Sequence, residues 1–105
     1  MKADTIVIVF RTRLRPGVEQ EISQMGARMY ALGSAMPGFI SYKDFAAEDG
    51  EFVTIIEFDT AEHLAAWRNH PEHMDAQKAG RESFFSWYQI QVCRVEREYS
   101  GGSPP

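Results

Sequence analysis

The first apolar stretch of the chain alternates. Ile6, Ile8, Phe10, Thr12 and Leu14 fall on one face and Val7, Val9, Arg11 and Arg13 on the other, which predicts a β-strand over Thr5 to Leu14. Both faces begin apolar, so both are expected to be covered. Pro16-Gly17 breaks this strand. Val18, Ile22, Met25, Met29 and Leu32 then recur at helical spacing, with Glu19, Glu21, Gln24 and Arg28 between them, and the helix should end near Gly33. Met36-Pro37-Gly38 reads as a turn, Phe39 to Ala47 as extended, and Glu48-Asp49-Gly50 as a hairpin turn into a strand from Phe52 to Phe58. Glu57 interrupts that apolar strand, and pairing with Arg11, Arg13 or Arg94 is the simplest way to accommodate its charge.

Asp59 or Thr60 can cap the next helix, with Glu62 at the capping-box position if Asp59 is the cap, and with Leu64 and Trp67 on the buried side. Pro71 stops that helix just after Asn69, because the residue before proline avoids helical angles. Pro71 also suits the first turn of a new helix, and Glu72 favours the same end electrostatically, so a second short helix is expected to about Ser83. From Phe84, the aromatic and β-branched residues Trp87, Tyr88, Ile90, Val92 and Val95 predict a last strand ending near Tyr99.

The order is β-α-β-β-α-β, an α+β ferredoxin-like unit with one extra short helix: an antiparallel sheet with helices on one face. The other sheet face is expected to carry Phe10, Phe52, Ile56 and Ile90. That is more apolar area than a monomer usually exposes, so a two-fold homodimer with facing sheets is expected. Residues 1–99 read as one domain and 100–105, made only of Gly, Ser and Pro, as a flexible tail.

Composition narrows the function classes. A chain of 105 residues has no room for a separate dinucleotide-binding module. A net charge of −4 gives no broad attraction to phosphate backbones or anionic lipid, so neither nucleic acid nor a membrane is an expected partner. Ile6 to Phe10 is too short a run for a secretory core or a membrane span, and the single cysteine, Cys93, forms no intrachain disulfide, so a cytoplasmic location is expected.

Most of the candidate chemistry lies between Trp67 and Arg81. His73, Gln77 and Arg81 recur at i, i+4 and i+8 and share one helix face, where they can point a base, an amide and a cation at one cavity; the bland alternative is a solvated helix face. Trp67 is a natural core residue that can wall a pocket as well. His70 reads as a cap or packing residue at the Pro71 bend. His70 and His73 have metal-ligand spacing but lack a third donor, so no metal is expected. Tyr42, Tyr88 and Tyr99 are placed at the dimer contact.

The ensemble of Arg13-Leu14-Arg15-Pro16-Gly17, Met36-Pro37-Gly38-Phe39, the pattern W-x-x-H-P-E-H-x-x-A-Q-x-x-G-R over Trp67 to Arg81, and the aromatic strand from Tyr88 to Tyr99 resembles the antibiotic biosynthesis monooxygenase family. The resemblance implies a homodimeric α+β barrel with a pocket between the sheet and helices of each subunit, and no bound flavin or metal in many members, so no cofactor is expected. One branch oxidises electron-rich phenols or anthrones with oxygen alone, the deprotonated substrate being the electron donor, so the protein must supply a base and a stabilised oxyanion. Trp67 matches that branch's pocket tryptophan. His63 stands where that branch has an asparagine, and His73 near its pocket tyrosine. A second branch degrades heme; its histidine ligand and its strand-one asparagine align with Gln77 and Phe10, and both are lost here. The leading expectation is therefore an oxygenase acting on a small aromatic or quinone precursor with O2, with His63 or His73 as base, Phe10 and Trp67 as pocket wall, Gln77 beside them and Arg81 as anion stabiliser. A non-catalytic ligand-binding or stress-related module, a heme-degrading monooxygenase in which His70 or His73 replaces the lost ligand, and a muconolactone-type isomerase are the alternatives.

Overall fold

The computed structural model describes residues 4–103. The elements are β1 (Ile6–Leu14), α1 (Glu19–Ser34), β2 (Phe39–Ala46), β3 (Phe52–Phe58), α2 (Ala61–Arg68), α3 (Pro71–Ala79), a π-helical turn (Gly80–Phe84) and β4 (Phe85–Arg94). The strands form one antiparallel sheet in the order β2-β3-β1-β4, with β1 and β3 central, as a ferredoxin-like unit requires. The β2–β3 hairpin closes through Gly50 at φ +93°, where the missing side chain costs nothing.

Ile6, Ile8, Phe58, Leu64 and Trp67 form the core, with Phe10, Met29, Leu32, Phe39 and Ile56 packed against it. Strand parity then assigns the faces. Phe10 shares parity with Ile6 and Ile8, Ile56 pairs with Ile8, Phe52 pairs with Thr12, and Ile90 pairs with Phe10. All four therefore lie on the helix-facing side, which corrects the expectation that they occupy the far face. Ile90 stays about half exposed because β4 is an edge strand. The far face carries Val7, Val9, Val53 and Ile55 together with a polar cluster. In that cluster the Arg11 guanidinium donates to both Glu51 oxygens at 2.6 and 3.0 Å, and Arg13 donates to Asp49 at 2.8 Å.

The strongest arginine pairs are thus used at the hairpin. Glu57 instead accepts from Ser41 Oγ at 2.7 Å, correcting the expected pairing with Arg11, Arg13 or Arg94. The last strand also ends earlier than expected, at Arg94 rather than near Tyr99, because its partner β1 begins at Ile6; one further bond, Val95 N to Thr5 O at 3.0 Å, closes the ladder. Residues 95–103 carry no regular structure, and the final two residues of the expected tail lie outside the described residues. Among the described residues no helix is long and apolar enough to cross a membrane.

Gly38 has φ +82°, and a Cβ there would collide with the side chains of Asp59 and His63. Gly38→Ala is expected to lower stability by about 2 kcal/mol or more, from backbone strain and displacement of that pair together. Urea denaturation checks this, and an unchanged midpoint would contradict it.

Candidate active site

Trp67 closes the last turn of α2 at 2% exposure, its ring edge against the backbone of Gly33, where an added Cβ would lie 3.1 Å from the indole. The chain then bends. His70 caps α3, its Nδ1 accepting from the Glu72 N–H at 3.2 Å, and Pro71 fills the first helical position where a missing N–H is harmless. This bend returns His73 onto Trp67: the rings stack with centroids 4.0 Å apart and planes 8° from parallel.

The tautomer of His73 follows from its partners. Its Nδ1 lies 3.1 Å from the Trp67 carbonyl oxygen, which can only accept, so Nδ1 carries the hydrogen and donates. The amide nitrogen of Gln77, 3.3 Å from the same Nδ1, is likewise a donor, and it gives its hydrogen bond to the Arg68 carbonyl at 3.0 Å. The lone pair of His73 is therefore on Nε2. Burial lowers the His73 pKa below the usual imidazole value; the bond to the Trp67 carbonyl opposes that shift and nearby His70 reinforces it. The ring is neutral at pH 7, the state a general base requires.

His73, Gln77 and Trp67 line a cleft of about 830 Å³ between the sheet and the helices, together with Phe10 and with Arg81, which enters from the π-helical turn. Such turns add a residue to the helical register and often occur at functional sites. Phe10 presents its ring edge-on to Phe85 at 5.5 Å. The structure brings five of the six residues singled out from sequence together. His63 is the exception: its Nδ1 lies 2.6 Å from Asp59 Oδ1, its backbone N–H is taken by Thr60 Oγ1 at 3.1 Å, and it faces the Gly38 turn instead of lining the cleft. Thr60 is thus the helix cap.

Sequence reasoning misses several residues of the cleft, Tyr42, Asp44, Thr54 and Tyr88 among them. Tyr42 and Tyr88, both expected at a dimer contact, instead line the cleft; Tyr42 lies beside Asp44, and Asp44 accepts from Thr54 Oγ1 at 2.6 Å. The register of β2 shifts between Phe39 and Ser41, so strand parity counted from Phe39 gives the wrong face for everything after it. Burial, reinforced by the Asp44 charge, pushes the Tyr42 pKa up to about 12. Its phenol therefore stays protonated and is available as a donor. Among the described residues no group of three or more His, Cys, Asp or Glu side chains is placed to hold a metal.

A ferredoxin-like α+β unit with an aromatic cleft between sheet and helices is the class that fold and site define. The sequence profile of the antibiotic biosynthesis monooxygenases matches residues 5–79, and the chain belongs to that family. It is similar to the uncharacterized protein YqjZ of Bacillus subtilis (strain 168), 31% identical over 71 residues, which are 68% of this chain and 62% of that protein. The chain thus spans under two thirds of that relative. The fold matches the structure of Rv0793 from Mycobacterium tuberculosis with TM-score 0.81 at 19% identity, over 92% of this chain and 100% of that one. It also matches SnoaB, a cofactor-independent oxygenase from Streptomyces nogalater, with TM-score 0.76 at 19% identity over 91% of this chain and 97% of that one.

Proposed function

We propose that this protein is a cofactor-independent oxygenase that converts a small electron-rich aromatic hydroxyl compound to a quinone with O2. The observation that carries this reading is the neutral His73 imidazole, stacked on Trp67, with Nδ1 committed to a backbone carbonyl and Nε2 left as acceptor in an aromatic cleft. His73 Nε2 takes the substrate's hydroxyl proton, and the resulting oxyanion is stabilised by the Arg81 guanidinium, a cation lining the same cleft. The electron-rich carbon para to that oxygen reduces O2. A C–O bond forms at that carbon; loss of the proton from the same carbon then breaks the O–O bond of the peroxide, one oxygen stays as the new carbonyl, and the other leaves as water with that proton and the one taken up by His73. Membership of a family named for monooxygenases supports this reading, as does a fold shared with an oxygenase that needs no cofactor.

Heme chemistry fits the residues poorly. Gln77 offers an amide where the heme-degrading relatives have an imidazole, and its nitrogen is engaged by the Arg68 carbonyl. We assign the protein to a homodimer through the far sheet face, where Val7, Val9, Val53 and Ile55 form a partly covered apolar strip. Light scattering at micromolar concentration should give twice the chain mass, and a stable monomer would contradict the assignment.

With the anthrone dithranol as substrate, an oxygen electrode should record uptake matching quinone formation. His73→Ala should cut kcat/KM by about 100-fold or more. The acid limb follows from the lowered pKa: a base is active only when neutral, so kcat/KM should rise with pH with its midpoint below the ordinary imidazole value of about 6.5. Substrate consumed without oxygen would indicate an isomerase, and unchanged substrate a binding module.

A further inference from the structure

The register of the sheet lays Asp44, Thr54, Phe10 and Ile90 in one row across four strands, all lining the cleft. At one strand spacing per step, Asp44 stands roughly 10 Å from Phe10. A ligand lying on Phe10 beside the Trp67 and His73 rings thus meets Asp44 with its far end. Asp44 differs from the acidic groups that the fold holds in ion pairs. Glu51, Asp49, Glu72 and Asp59 each have a cationic or imidazole partner. Among the described residues no cationic side chain pairs with Asp44, and Lys43, next to it in sequence, extends over the Phe45 ring at 5.7 Å. Its one recorded partner is the Thr54 hydroxyl, whose bond at 2.6 Å fixes one carboxylate oxygen and leaves the other for a ligand.

The charge in the cleft points the same way. With His73 neutral, the cleft is lined by two carboxylates, Asp44 and Glu19, against the single Arg81 guanidinium. A ligand carrying its own carboxylate at the β2 side would meet like charge there, whereas an ammonium would complete a charge-assisted hydrogen bond.

We propose that Asp44, held by Thr54, is a specificity-determining residue that selects an aromatic substrate bearing a protonated amine about two ring widths from the hydroxyl that faces His73. This deepens the functional reading above, since it rests on the cleft being the site where the substrate binds. Thr54 acts as a positioning residue, touching the ligand's partner and not the reacting atoms.

The test is calorimetric binding of three probes at low ionic strength, without turnover: 1-naphthol, 5-(aminomethyl)-1-naphthol and 5-hydroxy-1-naphthoic acid. The wild type should bind the amine about tenfold more tightly than 1-naphthol and the acid more weakly than either. Asp44→Asn, which keeps the shape and the Thr54 bond, should bring the amine and 1-naphthol within about twofold. Thr54→Val should shrink the preference severalfold while circular dichroism shows the fold retained. Equal affinities in the wild type, a preference that survives Asp44→Asn, or no binding of any probe would each overturn the proposal. Because binding is read without oxygen uptake, absence of turnover beside an intact amine preference would defeat the oxygenase reading alone.

Discussion

The stacking of His73 on Trp67 is the contact on which the chemistry of this fold depends. It combines three constraints that only the local chain path can satisfy at once. Trp67 is locked by the core and by the close approach of Gly33, the Asn69 to Pro71 break ends one helix and starts the next, and His70 caps the new helix at the right residue to bring His73 onto Trp67. Burial of the ring lowers the affinity of the imidazole for a proton, while the Trp67 carbonyl decides which nitrogen keeps its hydrogen. A side chain that is ordinarily half protonated near neutrality becomes a neutral base with a defined orientation. A histidine on a solvated helix face, in the same sequence pattern, would have neither property.

The rest of the cleft is built around that base by ordinary packing. The aromatic floor comes from strand parity, the polar far side from β2, and the cation from the π-helical turn that follows α3. Gln77 shows how a family position can be reused. Where the resemblance implies an iron ligand in one branch, the amide here ties α3 to the end of α2 through the Arg68 carbonyl and helps hold the bend that presents His73. The charges not needed at the site are drawn to the opposite face and the hairpin, where Arg11 and Arg13 are neutralised by Glu51 and Asp49.

Much of this is legible in the sequence, and the parts that are not share a cause. Helix α1, strand β3, the Gly38 and Gly50 turns and the His70 cap follow from periodicity, proline and capping chemistry, which are local. So does the grouping of His73, Gln77 and Arg81, because one helical segment carries them. The faces of the sheet are not local. Alternation divides Ile8 and Phe10 from Val7 and Val9 but does not say which set the helices cover, and both sets of β1 start apolar. The register shift in β2 then reverses parity for Tyr42 and Asp44, leaving no sequence signal for two residues that shape the cleft. His63 departs from its expected place for a related reason: its distance from Trp67 along the chain is right for a shared helix face, but Asp59 and the Gly38 turn hold it at the other end of α2.

The central claim is that His73 is a neutral base with its hydrogen on Nδ1 and its lone pair on Nε2. Nitrogen-15 NMR of histidine-labelled protein, with His73 assigned by His73→Gln, measures this directly. The account predicts an Nδ1–H tautomer for His73 whose titration midpoint lies below that of a free imidazole. A ring protonated on Nε2 when neutral, or one that titrates above the free value, would contradict it.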